Sequence, residues 1–222
     1  MINIASYIDH TILKPTATHI EIKKICEEAL QYQFAAVCIP PPFVSLARDL
    51  LAGQLHVKVS TVIGFPFGYS VLPAKLAETE QALADGADEL DVVISLLALK
   101  NSDWSYLSRE MAAITQRVHD GGKLVKVIIE SGILQDAEIV RCCEIYSPLG
   151  VDFLKTSTGY AEKGATVEAV RLMRQHLPAS VRIKASGGIR QYDLAMQLVD
   201  AGADRLGCSA SVEIVKGSPQ HT

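Results

Sequence analysis

Short runs of β-branched and aliphatic residues alternate with amphipathic segments from one end of the chain to the other. The runs predict strands over 7–11, 35–39, 57–63, 89–94, 124–130, 152–157, 181–185 and 205–209. Between them lie helical patterns. Thr18 and Glu21 form a capping-box signature ahead of a stripe of Ile22, Ile25, Ala29 and Leu30. Leu107, Met111, Ile114 and Val118 make a second stripe and Val167, Val170, Met173 and Leu177 a third, with Leu194 and Leu198 in a further helix. The eight strands recur roughly every 28 residues, about what one strand, one helix and two short loops require. Three of them are entered through nearly the same phrase: Gly86-Ala87-Asp88, Gly150-Val151-Asp152 and Gly202-Ala203-Asp204. A glycine just past a helix adopts the left-handed conformation that ends it and turns the chain back toward a strand. This repeated unit predicts an α/β fold, a TIM (β/α)₈ barrel, as one domain over 1–222 whose last few residues form a loose tail. The competing architecture is an open doubly wound sheet. The first strand is not followed by G-x-G-x-x-G, which weakens a dinucleotide-binding version of it.

Nearly half of the 222 residues are apolar, enough for a large core. A net charge of −4 with interspersed signs provides no basic field, so nucleic acid is not the expected partner and any anionic substrate must be held by local chemistry. The start MINIASYIDH does not read as a secretory signal, and no apolar run is long enough to span a bilayer. The five cysteines are odd in number and lack C-x-x-C spacing, which argues against a disulfide framework or a Cys-based zinc site. The histidines and acids show no H-E-x-x-H pattern. The expectation is a reduced, cytoplasmic protein without metal or cofactor.

Parallel strands buried on both faces are expected to be nearly continuous hydrophobe. Four successive strands carry a charge inside the apolar run itself: Asp91 in ELDVVI, Lys126 in LVKVIIE, Lys155 in DFLKTST and Lys184 in VRIKASG. Charge inside a barrel is costly unless paired or functional. A lone buried lysine is often a snorkelling side chain or half of a structural ion pair. For Lys126 alone that reading and a functional one are balanced. Three lysines and an aspartate on four successive strands favour a functional cluster, because strands four to seven of a closed barrel are neighbours.

Clustered lysines have a chemical use. An ordinary lysine with a pKa near 10.4 is only about 0.04% free amine at pH 7. Burial and a neighbouring ammonium can bring that value down by about three, leaving roughly a quarter to a third of the amine free. The free amine attacks a carbonyl and forms an iminium that acts as an electron sink, and a nearby aspartate moves protons. This is the equipment of a metal-free aldolase. The turns Ser186-Gly187-Gly188-Ile189-Arg190 and Gly207-Cys208-Ser209-Ala210-Ser211 follow the last two strands. Either alone reads as a tight connection; both together sit where barrels often bind phosphate. Thr158-Gly159, after Lys155, adds further donors.

The strings YIDHTILKP, VCIPPPFV, VIGFPFG, GADELDVVI, KVIIESG, DFLKTSTGY and IKASGGIR, in this order, resemble the deoxyribose-phosphate aldolase family over about residues 5–212. The resemblance implies a class I aldolase that cleaves 2-deoxy-D-ribose 5-phosphate to glyceraldehyde 3-phosphate and acetaldehyde. By motif it makes Lys155 the Schiff-base residue, Lys184 its perturbing partner and Asp91 the proton donor and acceptor. It places the phosphate against Gly159, Gly187, Gly188 and Ser209, and puts Asp9, Thr11 and Cys38 on the pocket wall; for Cys38 a buried structural thiol is the stronger reading. Lys126 is assigned a supporting place behind these groups. A homo-oligomer, in the first instance a dimer, is expected by the same analogy.

Three stretches depart from the family pattern: Ser95-Leu96-Leu97 after ELDVVI, Ala210 in place of a second serine with Ser211 as its available substitute, and a tail VKGSPQHT without a terminal tyrosine. Two other readings stay open at this point: a transaldolase or other Schiff-base sugar-phosphate aldolase, and a phosphosugar-binding barrel without catalysis.

Overall fold

The computed structural model describes residues 2–54 and 56–219. Among them eight strands, β1 (Ile8–Thr11), β2 (Ala36–Ile39), β3 (Lys58–Ile63), β4 (Glu89–Val93), β5 (Leu124–Ile128), β6 (Phe153–Lys155), β7 (Arg182–Ser186) and β8 (Arg205–Cys208), pair in parallel. They form a closed barrel in chain order, with β1 bonded to β8. An open doubly wound sheet is thereby ruled out. Around the barrel lie α1 (His19–Tyr32), α2 (Val44–Leu50), α3 (Leu72–Asp85), α4 (Leu96–Lys100), α5 (Trp104–Asp120), α6 (Asp136–Tyr146), α7 (Val167–His176), α8 (Tyr192–Asp200) and α9 (Ser211–Lys216). No helix among the described residues is long and apolar enough to cross a membrane.

Each of the eight expected strands is present, though most are shorter than their apolar runs. The run over 124–130 stops pairing as a strand at Ile128, and Glu130 takes a left-handed φ of +55°. The run over 152–157 keeps Phe153–Lys155, and Asp152 just before it serves the neighbouring strand through its side chain. Its carboxylate accepts from the backbone N–H of Val125 at 2.9 Å. Asp88 does the same for Val59 at 3.1 Å and Asp204 for Ile183 at 2.8 Å. The repeated phrase therefore carries two devices: a glycine at positive φ that ends the preceding helical segment, and an aspartate that satisfies a donor near the start of the preceding strand. The capping box of Thr18 and Glu21 closes the start of α1. In the tail, Val215 and Lys216 complete α9, and residues 220–222 lie outside the described residues.

Side chains alternate across each strand, and the alternation sorts the barrel chemically. Outward residues such as Ile8, Val37, Leu90, Val92, Val127, Leu154, Ile183 and Leu206 join the helices in the apolar core. The inward positions hold the polar and charged groups together with a few apolar residues such as Cys38, Val62 and Phe153.

A second buried charge lies outside the barrel wall. Lys75 of α3 and Glu110 of α5 are both fully buried and paired at 2.9 Å. Lys75 also donates to the Val93 carbonyl at 2.8 Å, and Glu110 accepts from the Ser95 N–H at 3.1 Å. The pair ties two helices to the end of β4. The Ser95-Leu96-Leu97 departure thus has a defined geometry: Ser95 is anchored by Glu110, and its hydroxyl caps α4 by accepting from Ala98. Lys75→Met, which leaves Glu110 buried and unpaired, should lower stability by about 3–5 kcal/mol. The double variant Lys75→Met/Glu110→Leu should recover most of that loss in urea unfolding. A single variant as stable as the parent would deny the pair its structural role.

Candidate active site

Strand register brings the inward charges together. Asp91 lies beside Lys126, and Lys155 beside Lys184. The two oxygens of Asp91 serve three lysines: Oδ2 accepts from Lys155 and from Lys184, each at 2.7 Å, and Oδ1 accepts from Lys126 at 2.7 Å. Ser60 of β3 donates to the same Oδ1 at 3.2 Å. Asp9 of β1 accepts from Lys184 at 2.5 Å and from Arg205 at 2.5 Å. Glu89 of β4 pairs with Lys126 at 2.7 Å and with Arg205 at 3.2 Å. Space for the Lys184 stem depends on Gly207 opposite, where a Cβ would come within 3.2 Å of Lys184 Cε and 2.7 Å of Ser186 Oγ.

The lysines share one environment and respond differently. Burial lowers the pKa of each. For Lys155 that effect prevails over its attraction to Asp91, and the ammonium of Lys184 lowers the pKa further. For Lys184 the facing carboxylates of Asp9 and Asp91 outweigh burial and hold the proton firmly. Lys126 is likewise held charged, by Asp91 and Glu89 against burial. Burial would raise the pKa of Asp91, but Lys126, Lys155 and Lys184 overcome it and keep the carboxyl ionised well below its usual range. The resting site therefore presents an ionised Asp91 and one lysine weakened as a base.

That lysine is the one that reaches open space. A cavity of about 340 Å³ lies at the C-terminal ends of the strands. Lys155 borders it while Lys126, Lys184 and Asp91 are sealed beneath. On the far side of the cavity are Gly159, Gly187, Gly188 and Ser209, and Thr11 closes one flank. Gly159, Gly187 and Gly188 have φ of +87°, +88° and +79°, values that favour glycine. Gly164 packs against the Gly187 backbone so closely that a Cβ would collide with its carbonyl. Glu130 fixes the Thr158 loop by accepting from both the Thr158 hydroxyl and its N–H. At the mouth, the Tyr160 hydroxyl donates to the Leu13 carbonyl at 3.0 Å, linking the loops after β6 and β1.

Two residues expected on the pocket wall are placed differently. Asp9 and Cys38 are fully buried and line no part of the cavity. Asp9 is drawn below the lysines by Lys184 and Arg205, and burial pushes the Cys38 thiol pKa up. Ser211 does not stand in for the missing serine at Ala210, because its hydroxyl is buried and donates to the Cys208 carbonyl at 2.9 Å. Lys14, Ser186 and Arg190 also border the cavity, and the Ser186 hydroxyl has no hydrogen-bond partner. Each lies inside a motif the sequence displays, but nothing in the residue type signals which way it faces. Among the described residues, no group of three His, Cys, Asp or Glu side chains is placed to hold a metal ion.

Residues 3–211 match the family described as DeoC/LacD family aldolase. The chain is 48% identical to the deoxyribose-phosphate aldolase of Thermococcus kodakarensis over 97% of each chain. It is 50% identical to that of Bacillus mycoides over 96% of this chain and 95% of the relative. Among solved structures, the deoxyribose phosphate aldolase from Aeropyrum pernix, described as a tetramer, superimposes with a TM-score of 0.89 at 34% identity, covering 96% of this chain and 89% of that one.

Asp9 and Asp91 both have pKa values held below the ordinary carboxylate value, so the folded state binds fewer protons there than the unfolded chain. Their stabilising contribution is complete above about pH 4, the unfolded value, and is lost as the pH falls below it toward the folded values. Urea unfolding from pH 5 to pH 3 should show a steeper loss for the parent protein than for Asp91→Asn. Equal slopes would mean that Asp91 does not carry this linkage.

Proposed function

Because the chain belongs to the DeoC/LacD aldolase family, we propose that it reversibly cleaves 2-deoxy-D-ribose 5-phosphate to D-glyceraldehyde 3-phosphate and acetaldehyde through an imine on Lys155, in deoxyribose phosphate catabolism. The observation that carries this reading is the position of Lys155 Nζ. It is the cluster amine bordering the cavity, and it shares one Asp91 oxygen with Lys184.

The neutral amine of Lys155 adds to C1 of the open-chain sugar, and loss of water leaves an iminium. Asp91, ionised and 2.7 Å from that nitrogen, takes the proton the nitrogen sheds on addition and returns it to the carbinolamine oxygen, directly or through water. One further proton from solvent lets that oxygen leave as water. Asp91, again ionised, takes the proton of the C3 hydroxyl through water, and the C2–C3 bond breaks. Its electron pair moves through C2 into the iminium and forms an enamine, while C3 leaves as the aldehyde of glyceraldehyde 3-phosphate. The proton taken from the C3 hydroxyl is delivered to C2, and hydrolysis of the resulting iminium releases acetaldehyde, restores the amine and returns one proton to solvent. Lys184 keeps its own proton and makes protonation of Lys155 unfavourable. The phosphate rests against the backbone of Gly159, Gly187 and Gly188 and against Ser209, where positive-φ glycines allow close approach. Thr11 bounds the sugar, and Asp9 acts from below on Lys184.

A reduced, cytoplasmic location belongs to the same reading and is supported by five buried free thiols. A homo-oligomer belongs to it as well, and the tetramer from Aeropyrum pernix is its support.

Borohydride added with acetaldehyde should leave a reduced adduct on Lys155, located by peptide mapping. Lys155→Ala should lose activity by about a thousandfold or more. An adduct on another residue of the active protein would sink the assignment. In wild type the rate should fall as the pH drops through the lowered Lys155 pKa, because protonation removes the nucleophile. Lys184→Leu deletes a facing positive charge, so the acid limb of kcat/KM should move to higher pH and turnover at pH 7 should drop. An unchanged profile would remove Lys184 from that role.

A further inference from the structure

Arg205 and Glu89 stand at the first positions of β8 and β4, at the opposite end of the barrel from the cavity, yet both belong to the charged cluster. The contacts can be followed around it. Arg205 binds Asp9, Asp9 binds Lys184, and Lys184 binds Asp91. Asp91 binds Lys126, Lys126 binds Glu89, and Glu89 returns to Arg205. Six side chains close a ring in which cation and anion alternate, three of each. Lys155 hangs from this ring on Asp91 as a further cation with no matching anion in it.

We propose that Arg205 and Glu89 are positioning residues which set, through this ring and from the barrel floor, how readily Lys155 gives up its proton. The proposal rests on Lys155 being the imine-forming amine. In a poorly polarisable interior, a cluster of seven ionisable groups favours the protonation state that balances its charge. With Lys155 protonated the cluster carries one excess positive charge, and with Lys155 neutral it carries none. Lys126 and Lys184 are each braced by two carboxylates within 2.7 Å, so the proton leaves Lys155. Arg205 supplies the third ring cation and Glu89 the third anion, so each shifts the balance in an opposite sense. The other titratable and charged groups near Lys155 are the Cys38 thiol on β2, Glu130 after β5, whose carboxylate is held by Thr158, and Lys14 and Arg190 on the cavity wall. Arg182 of β7 lies at the floor over the Phe153 ring. None of these is altered in sequence by the floor variants. The Arg205 side chain is only 12% exposed, and its guanidinium binds Asp9 and Glu89 instead of extending to solvent.

The test uses the full chain with acetaldehyde and cyanoborohydride across a pH series, reading the extent of reduction on the Lys155 peptide by mass spectrometry. Arg205→Met should raise the midpoint pH of labelling by about one unit, the size expected for one charge several ångströms away in a partly screened interior. Glu89→Gln should lower it by about as much. The double variant should return close to wild type, and Arg205→Lys, which keeps the charge, should not move. If Arg205→Met fails to fold, Glu89→Gln decides, because loss of packing alone does not make an amine easier to deprotonate. Midpoints that stay put, or that move in the same direction in both single variants, overturn the role of the ring. A wild-type adduct on another residue overturns the assignment of Lys155 itself, and the two failures are told apart by where the mass is found.

Discussion

The site depends on one carboxylate serving three ammonium groups. Asp91 holds Lys126 on one oxygen and both Lys155 and Lys184 on the other. Without it, three cations would be buried with too few counter-charges, a state that desolvation makes very costly. With it, the lysines are close enough to oppose one another's protonation. The group least well braced, Lys155, carries the consequence as a weakened hold on its proton.

The barrel makes this concentration of charge possible by separating two kinds of surface. Every strand sends alternate side chains outward, where Leu90, Val127, Leu154 and Ile183 pack with the helices and provide the apolar burial that holds the fold together. The inward side of the same strands is released from that duty. It holds the charged ring at the floor and middle, with the cavity above the strand ends. A stable shell and a strained electrostatic interior are therefore built from adjacent residues with little conflict.

The mouth follows a different rule. There the backbone does the work, through loops that pass close to each other because Gly159, Gly164 and Gly187 carry no side chains. These loops are tied at the cavity rim, where Glu130 holds Thr158 and Tyr160 reaches Leu13, and behind the barrel wall Lys75 with Glu110 braces the end of β4. Supports of this kind hold the glycine loops at a fixed distance from Lys155, which the proposed covalent mechanism requires.

Much of the molecule was legible in the chain itself. Apolar runs marked all eight strands, Thr18 and Glu21 marked the start of α1, and Gly86, Gly150 and Gly202 marked turns back into strands. Asp91, Lys126, Lys155 and Lys184 stood out because a charge in a strand buried on both faces violates a local rule. Local rules could not say which charges would meet. Asp9 lies 175 residues from Lys184 and 196 from Arg205 and reaches them only because β1 closes against β8. Arg205 and Glu89 begin their strands and read as ordinary surface charges. Lys75 and Glu110 sit on helices where a charged residue arouses no suspicion. Sequence determined the elements and the residues that break their patterns, because both are set by near neighbours. Tertiary structure decided the partners, the depth of Asp9 and Cys38, and the selection of Lys155 over its neighbours, because electrostatic energy is fixed by distances in space that only closure of the barrel defines.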